Sequence, residues 1–178
     1  EETNLASRLD YTNATTGPTV KVSDPVDLSK LKQPISKGKL GDHKISRMMC
    51  GGNLISGFAH SRDLIYVSNW LKQYFTQKKV LDTFWICEQC GINTAVVRTS
   101  HPEISYLHEY WKQGGEIKWL AQVYPKEKDY KKNIDLAVDN GAMAAFIQGG
   151  ITDEWVKSGK FDLIAKTLDY IRSRGVLA

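Results

Sequence analysis

Several side chains able to bind or transfer protons stand directly behind short apolar runs. Asn53 follows a run ending at Cys50 and the pair Gly51-Gly52, and Arg98 closes the run 93–98, with His101 just beyond. Gln122 and Tyr124 flank the end of 117–123, and Gln148 follows 142–147. An amide side chain donates and accepts hydrogen bonds, and a guanidinium can hold an anion through two parallel bonds. Asn53, Arg98, Gln122 and Gln148 are therefore candidate binding residues for a polyhydroxylated or carboxylated small ligand. His101 and Tyr124 are the candidates for proton transfer near neutral or mildly basic pH. The alternative for Arg98 and Gln148 is that both satisfy loop carbonyls at the rim. At Gly51 and Gly52 no side chain stops a ligand from approaching the backbone; the alternative is a plain strand-to-helix turn.

His60 is a third candidate catalytic group. It lies in a segment, 56–63, that combines a glycine hinge, an aromatic residue and a titratable group. This loop either closes over a ligand that His60 contacts, or is a capped helix start with His60 in solvent. Cys87-Glu88-Gln89-Cys90 has redox or zinc spacing, but it falls in the last turn of a helix, away from the N-terminal dipole that activates a thiol. Cys50, His60 and His101 offer no companion ligand spacing, so packing cysteines and no metal are expected.

The elements that would position these groups alternate. Apolar positions at helical spacing mark helices over about 61–75, 77–90, 103–112, 128–140 and 161–174. Between them lie apolar runs at 93–98, 117–123 and 142–147, preceded by a hairpin over about 35–49 that feeds a buried strand at 45–50. Gly91, Gly114-Gly115, Gly141 and Gly175 sit where helices should end on a left-handed glycine before the chain turns into a strand. Strands separated by helices call for a parallel sheet covered by helices, either doubly wound or a (β/α)8 barrel. The doubly wound dinucleotide motif needs Gly-x-Gly-x-x-Gly after the first strand, and Gly51, Gly52 and Gly57 do not have that spacing. A hairpin ahead of the first strand suits the bottom of a barrel.

Composition narrows the classes. The chain has 178 residues, 42% hydrophobic and 25% charged, with a net charge of +4. The charge is spread without a basic stripe interleaved with aromatics, which argues against nucleic acid as a partner. No apolar run reaches the roughly 18 residues of a membrane span. Residues 1–33 are polar and aperiodic, and are expected to be a flexible leader; Asn13-Ala14-Thr15 within them fits an N-glycosylation acceptor. Localisation is left open, because the first residue is Glu1.

Lys39-Leu40-Gly41, then Lys44-Ile45-Ser46-Arg47 and Gly51-Gly52, resembles the opening of aldo-keto reductases. Cys90-Gly91-Ile92-Asn93 is similar to that family's entry into its second strand. The resemblance covers about 34–178 and rests on pattern more than identity. It implies a (β/α)8 barrel, NADPH as cofactor, approached at Gly51 and Gly52, and reduction of a small carbonyl or sugar-type metabolite. The family's Asp, Tyr, Lys and His tetrad is not matched: Gln122 stands where the Lys would be and Gln148 where the His would be. Nicotinamide-independent lyase or isomerase chemistry, or a non-catalytic sugar-binding barrel, are the alternatives. A barrel takes about 250 residues, so the expectation is an N-terminal half of about four β/α units, truncated at the start of strand five. Exposed inner faces on such a half would favour self-association.

Overall fold

Alternation within the strands sets the architecture. Along β5 (Lys118–Val123) every second residue is buried, and Trp119, Ala121 and Val123 have no exposed surface. The strand therefore offers one face to covering helices and the other to a half-open surface. β4 (Thr94–Arg98) and β6 (Ala144–Ile147) flank it, and β3 (Cys50–Gly51) pairs with β4 on the far side. All pairings are parallel and the strand order follows the chain, β3-β4-β5-β6. Leu177 adds a parallel bridge to Ala144, its carbonyl accepting from Ala145 N at 2.9 Å. Among these strands the order never reverses, as it does at the switch point of a doubly wound sheet.

The chain divides into two units, residues 1–33 and 34–178. The computed structural model describes residues 35–59, 64 and 66–178, all in the second unit. The expected leader and its glycosylation triplet lie outside the described residues.

The helices are α1 (Val67–Tyr74), α2 (Gln77–Gln89), α3 (His101–Lys112), α4 (Lys132–Asp139), α5 (Gly149–Lys157) and α6 (Phe161–Ser173). Their apolar stripes, including Val80, Phe84, Leu107, Tyr110, Ile134 and Ile171, close over the face of the sheet that carries Ala95, Val97, Trp119, Ala121 and Ala145. The small residues leave room for Trp119, whose indole N–H donates to Val97 O at 2.9 Å. Positive φ at Gly91, Gly114, Gly141 and Gly175 shows left-handed turns at the helix ends where they were expected.

The hairpin of β1 (Lys37–Leu40) and β2 (His43–Ser46) is antiparallel and lies against the N-terminal ends of the parallel strands. Asn93, just before β4, accepts from Ser46 N at 2.7 Å through its side-chain oxygen and donates to Lys44 O at 3.1 Å. Lys118, the first residue of β5, donates to Lys44 O at 2.9 Å. Gly41 in the hairpin turn packs against the Leu177 side chain.

Three differences from expectation have a local cause or add an element. The strand anticipated over 45–50 is two pieces, because Ser46 turns to Asn93 and its hydroxyl donates to Met48 O, leaving Met48 60% exposed. The helix anticipated from 128 starts at Lys132, since 126–129 close a tight turn in which Asp129 N donates to Lys126 O at 3.0 Å. Helix α5 lies between the strand expected at 142–147 and the helix expected from 161, where no element was anticipated.

β3 and β4 approach so closely at Gly52 that a Cβ there would lie 2.4 Å from Val96 O. Gly52→Ala is predicted to destabilise this unit by about 1–3 kcal/mol, the range for overpacking. Gly51→Ala, with nothing within 4 Å of its Cβ position, is predicted to be much milder. Urea denaturation of both variants checks the pair; equal effects would show that the close approach is not what constrains position 52.

Candidate functional site

The parallel register places Arg98 beside Gln122 and Gln122 beside Phe146, at the C-terminal ends of β4, β5 and β6. Because pleated side chains alternate, this row shares the half-open face with Val96 and Leu120, opposite the helix-covered face. Tyr124, two residues beyond Gln122, donates its phenol hydrogen to Gln122 Oε1 at 2.7 Å.

Arg98 lies between two aromatic rings. Its guanidinium carbon is 4.6 Å from the Tyr124 ring centroid and 4.9 Å from that of Phe58, distances at which ring quadrupoles attract a cation. Phe58 is held by its amide, which donates to Asn53 O at 2.7 Å, and by its neighbour Gly57, whose carbonyl accepts from Ser68 Oγ of α1 at 2.5 Å. No described carboxylate forms an ion pair with Arg98. Its Nε is buried without a hydrogen-bond partner among the described residues.

Asn133, at the start of α4, ties the two loops together. Its side-chain oxygen accepts from Tyr124 N at 2.7 Å and its NH2 donates to Thr99 O at 3.1 Å. Thr99 N in turn donates to Gln122 O at 2.9 Å.

Two cavities open from this row. One, about 410 Å³, lies over Gly51 and Gly52 and is bounded by Asn53, Leu54, Val96 and Gln122. The other, about 330 Å³, lies between the loops after β4 and β5, with Arg98, Thr99, Tyr124 and Asn133 in its wall. The structure thus groups Asn53 and Gln122 with the glycine pair, and Arg98 with Tyr124, with the Tyr124 to Gln122 hydrogen bond joining the groups. Gln148 lines neither cavity: its side-chain oxygen accepts from Ile151 N at 2.9 Å and caps α5. His101 is an exposed first residue of α3, also outside both cavities. His60 lies outside the described residues.

Sequence reading did not single out Asn133, Lys126 or Lys132, which reach the site from the next loop. The helix expected over 128–140 placed Asn133 in its interior, where an Asn able to bond two backbone groups of neighbouring loops leaves no mark in the sequence.

Burial raises the Tyr124 pKa above its ordinary 10.0; nearby Arg98 opposes this and the Glu103 carboxylate adds to it. The phenol is a neutral donor at physiological pH. Away from the site, Cys87 on α2 has its pKa lowered to about 7, because the Cys50 thiol donates to it and outweighs its burial. Cys50 itself is raised by that same bond and by burial. All three cysteines are free thiols. Among the described residues no cluster of His, Cys, Asp and Glu is placed to hold a metal, and no helix is long and apolar enough to cross a membrane.

The class that fold and site define is a parallel α/β protein with a polar, arginine-centred rim at its strand ends. No family model, no curated protein and no solved structure matches the chain.

Two titrations test these electrostatics. The midpoint of Tyr124 phenolate absorbance is predicted to lie above the ordinary 10.0. Because the folded pKa is the higher one, the stability this group contributes is full below 10 and declines as pH rises through the folded value; loss in Tyr124→Phe of a component titrating at or below pH 10 would contradict the assignment. Cys87 alkylation is predicted to show a midpoint near pH 7 that moves up in Cys50→Ala, which removes the donor. An unmoved midpoint would exclude Cys50 as the cause.

Proposed function

We propose that this chain forms the first half of a (β/α)8 barrel whose strand ends bind and act on a small carbonyl or sugar-type metabolite, in keeping with its aldo-keto-reductase-like opening. Sequential strand order without reversal and a hairpin laid across the strand starts support the barrel. The observation that carries the ligand reading is the row Arg98, Gln122 and Phe146 on the open face, with Arg98 stacked on Tyr124 and Phe58 and free of any described carboxylate. Such a cation is pre-oriented for an anionic or carbonyl oxygen, and no described carboxylate neutralises its charge.

In this reading Arg98 and Gln122 orient the ligand oxygen. Tyr124, neutral and within reach of Gln122, supplies the proton that a reduced carbonyl oxygen must gain. NADPH, when bound, supplies a hydride; Gly51, Asn53 and Gln122 are the described residues suited to its carboxamide end. Among the described residues no cation lines the cavity over Gly51 and Gly52 to meet its phosphates. That observation favours a second reading, nicotinamide-independent lyase or isomerase chemistry at the same row.

Fluorescence titration of NADPH and NADH against the full-length protein, followed by a sugar and sugar-acid panel, separates the readings. Saturable nicotinamide binding supports the oxidoreductase, whereas ligand binding without it supports the second reading. In either case Arg98→Gln is predicted to weaken ligand binding by about tenfold or more, the weight of one charge-assisted contact. Unchanged affinity in Arg98→Gln would overturn the site assignment. The 178-residue chain alone is predicted to self-associate through the apolar part of its open face, Val96, Leu120 and Phe146. A monodisperse monomer that unfolds cooperatively and binds no apolar dye would count against the half barrel.

A further inference from the structure

We infer that the cavity between the loops after β4 and β5 holds the phosphate group of a phosphorylated small metabolite. The inference deepens the reading above and rests on it for where the remainder of the ligand lies. Among the described residues the cavity, about 330 Å³, is lined by three cations, Arg98, Lys126 and Lys132, against one carboxylate, Asp129. None of the three forms an ion pair with a described carboxylate. Asp129 is turned to its own loop, where Oδ1 accepts from Lys132 N at 3.3 Å.

Unmet hydrogen-bonding capacity lies in the same wall. Thr99 is 3% exposed, and its main-chain N–H and C=O are both engaged, with Gln122 O and Asn133 Nδ2. Its hydroxyl and the neighbouring Arg98 Nε have no partner among the described residues, although both are buried. Burying a hydroxyl unpaired is costly, and Thr99 is itself part of the wall of this cavity. Asn133, bonded at both ends, keeps that wall in place.

The charge balance favours phosphate over carboxylate. Three cations and one carboxylate leave an excess of two positive charges, the complement of a phosphate dianion. Its three terminal oxygens can meet a guanidinium, an ammonium and a hydroxyl together. Tyr124 lines this cavity and bonds Gln122 of the other. A ligand anchored by its phosphate therefore extends along Tyr124 toward Gln122 and Asn53.

The test uses the full-length protein with inorganic phosphate as probe, read by amide chemical shifts and calorimetry, and then ribose 5-phosphate against ribose. Expected are saturable shifts at Thr99, Lys132 and Asn133, and weakening of about tenfold in the double variant Lys126→Ala, Lys132→Ala. Thr99→Val is expected to weaken phosphate binding while thermal stability holds or rises, because it removes an unpaired buried hydroxyl. Absence of phosphate binding, or binding that ignores both variants, would overturn the inference. If ribose then still bound in an Arg98-dependent way, the reading of the strand-end row would stand alone. If phosphate bound as expected and neither sugar added affinity, the phosphate site would stand and that reading would fall.

Discussion

The in-register pairing of β4 with β5 is the constraint on which the rest of the molecule depends. A slip of one residue would carry Trp119 to the open face and turn Gln122 into the helices. Trp119 prevents this. It is fully buried, its indole N–H is bonded to Val97 O, and Ala95, Ala121 and Ala145 leave the space it fills. One large side chain with three small neighbours thereby settles which face of the sheet is core. The row that ends in Arg98, Gln122 and Phe146 follows from that choice.

Arg98 occupies the position where core and solvent requirements meet. Its stem leaves a strand whose alternate residues are buried, and its charged head lies between two rings. Stacking stabilises a guanidinium without neutralising it, so the charge remains available to a ligand. The same burial that keeps the Tyr124 proton in place lowers the local dielectric and strengthens whatever Arg98 meets.

Much of the skeleton could be read from residue order, and the reasons are local. A glycine with positive φ at the end of an amphipathic stretch needs only its own neighbours to be recognised, and Gly91, Gly114, Gly141 and Gly175 all adopt that conformation. Arg98, Gln122 and Tyr124 were legible because each stands at the end of an apolar run or just beyond it. Partners supplied across the fold were not legible. Ser46 leaves the extended path because Asn93, 47 residues away, receives its N–H. Helix α5 starts at a glycine pair because the Gln148 side chain caps it, the same residue whose position had suggested ligand contact. Lys126, Lys132 and Asn133 join Arg98 through a loop whose tight turn is not apparent from periodicity.

The two ends of the sheet differ in how far their polar groups are satisfied. At the strand starts the hairpin is bonded by Asn93 and Lys118, and Ser46 accepts and donates in full view of both. The buried side-chain polar atoms left without a partner among the described residues, Ser56 Oγ, Arg98 Nε and Thr99 Oγ1, all lie in segments that follow or close strands β3 and β4. Folding has thus concentrated its unresolved polarity at one pole. That pole is where the native state retains local frustration, and where an arriving polar molecule would relieve an existing deficit instead of competing with bonds already made.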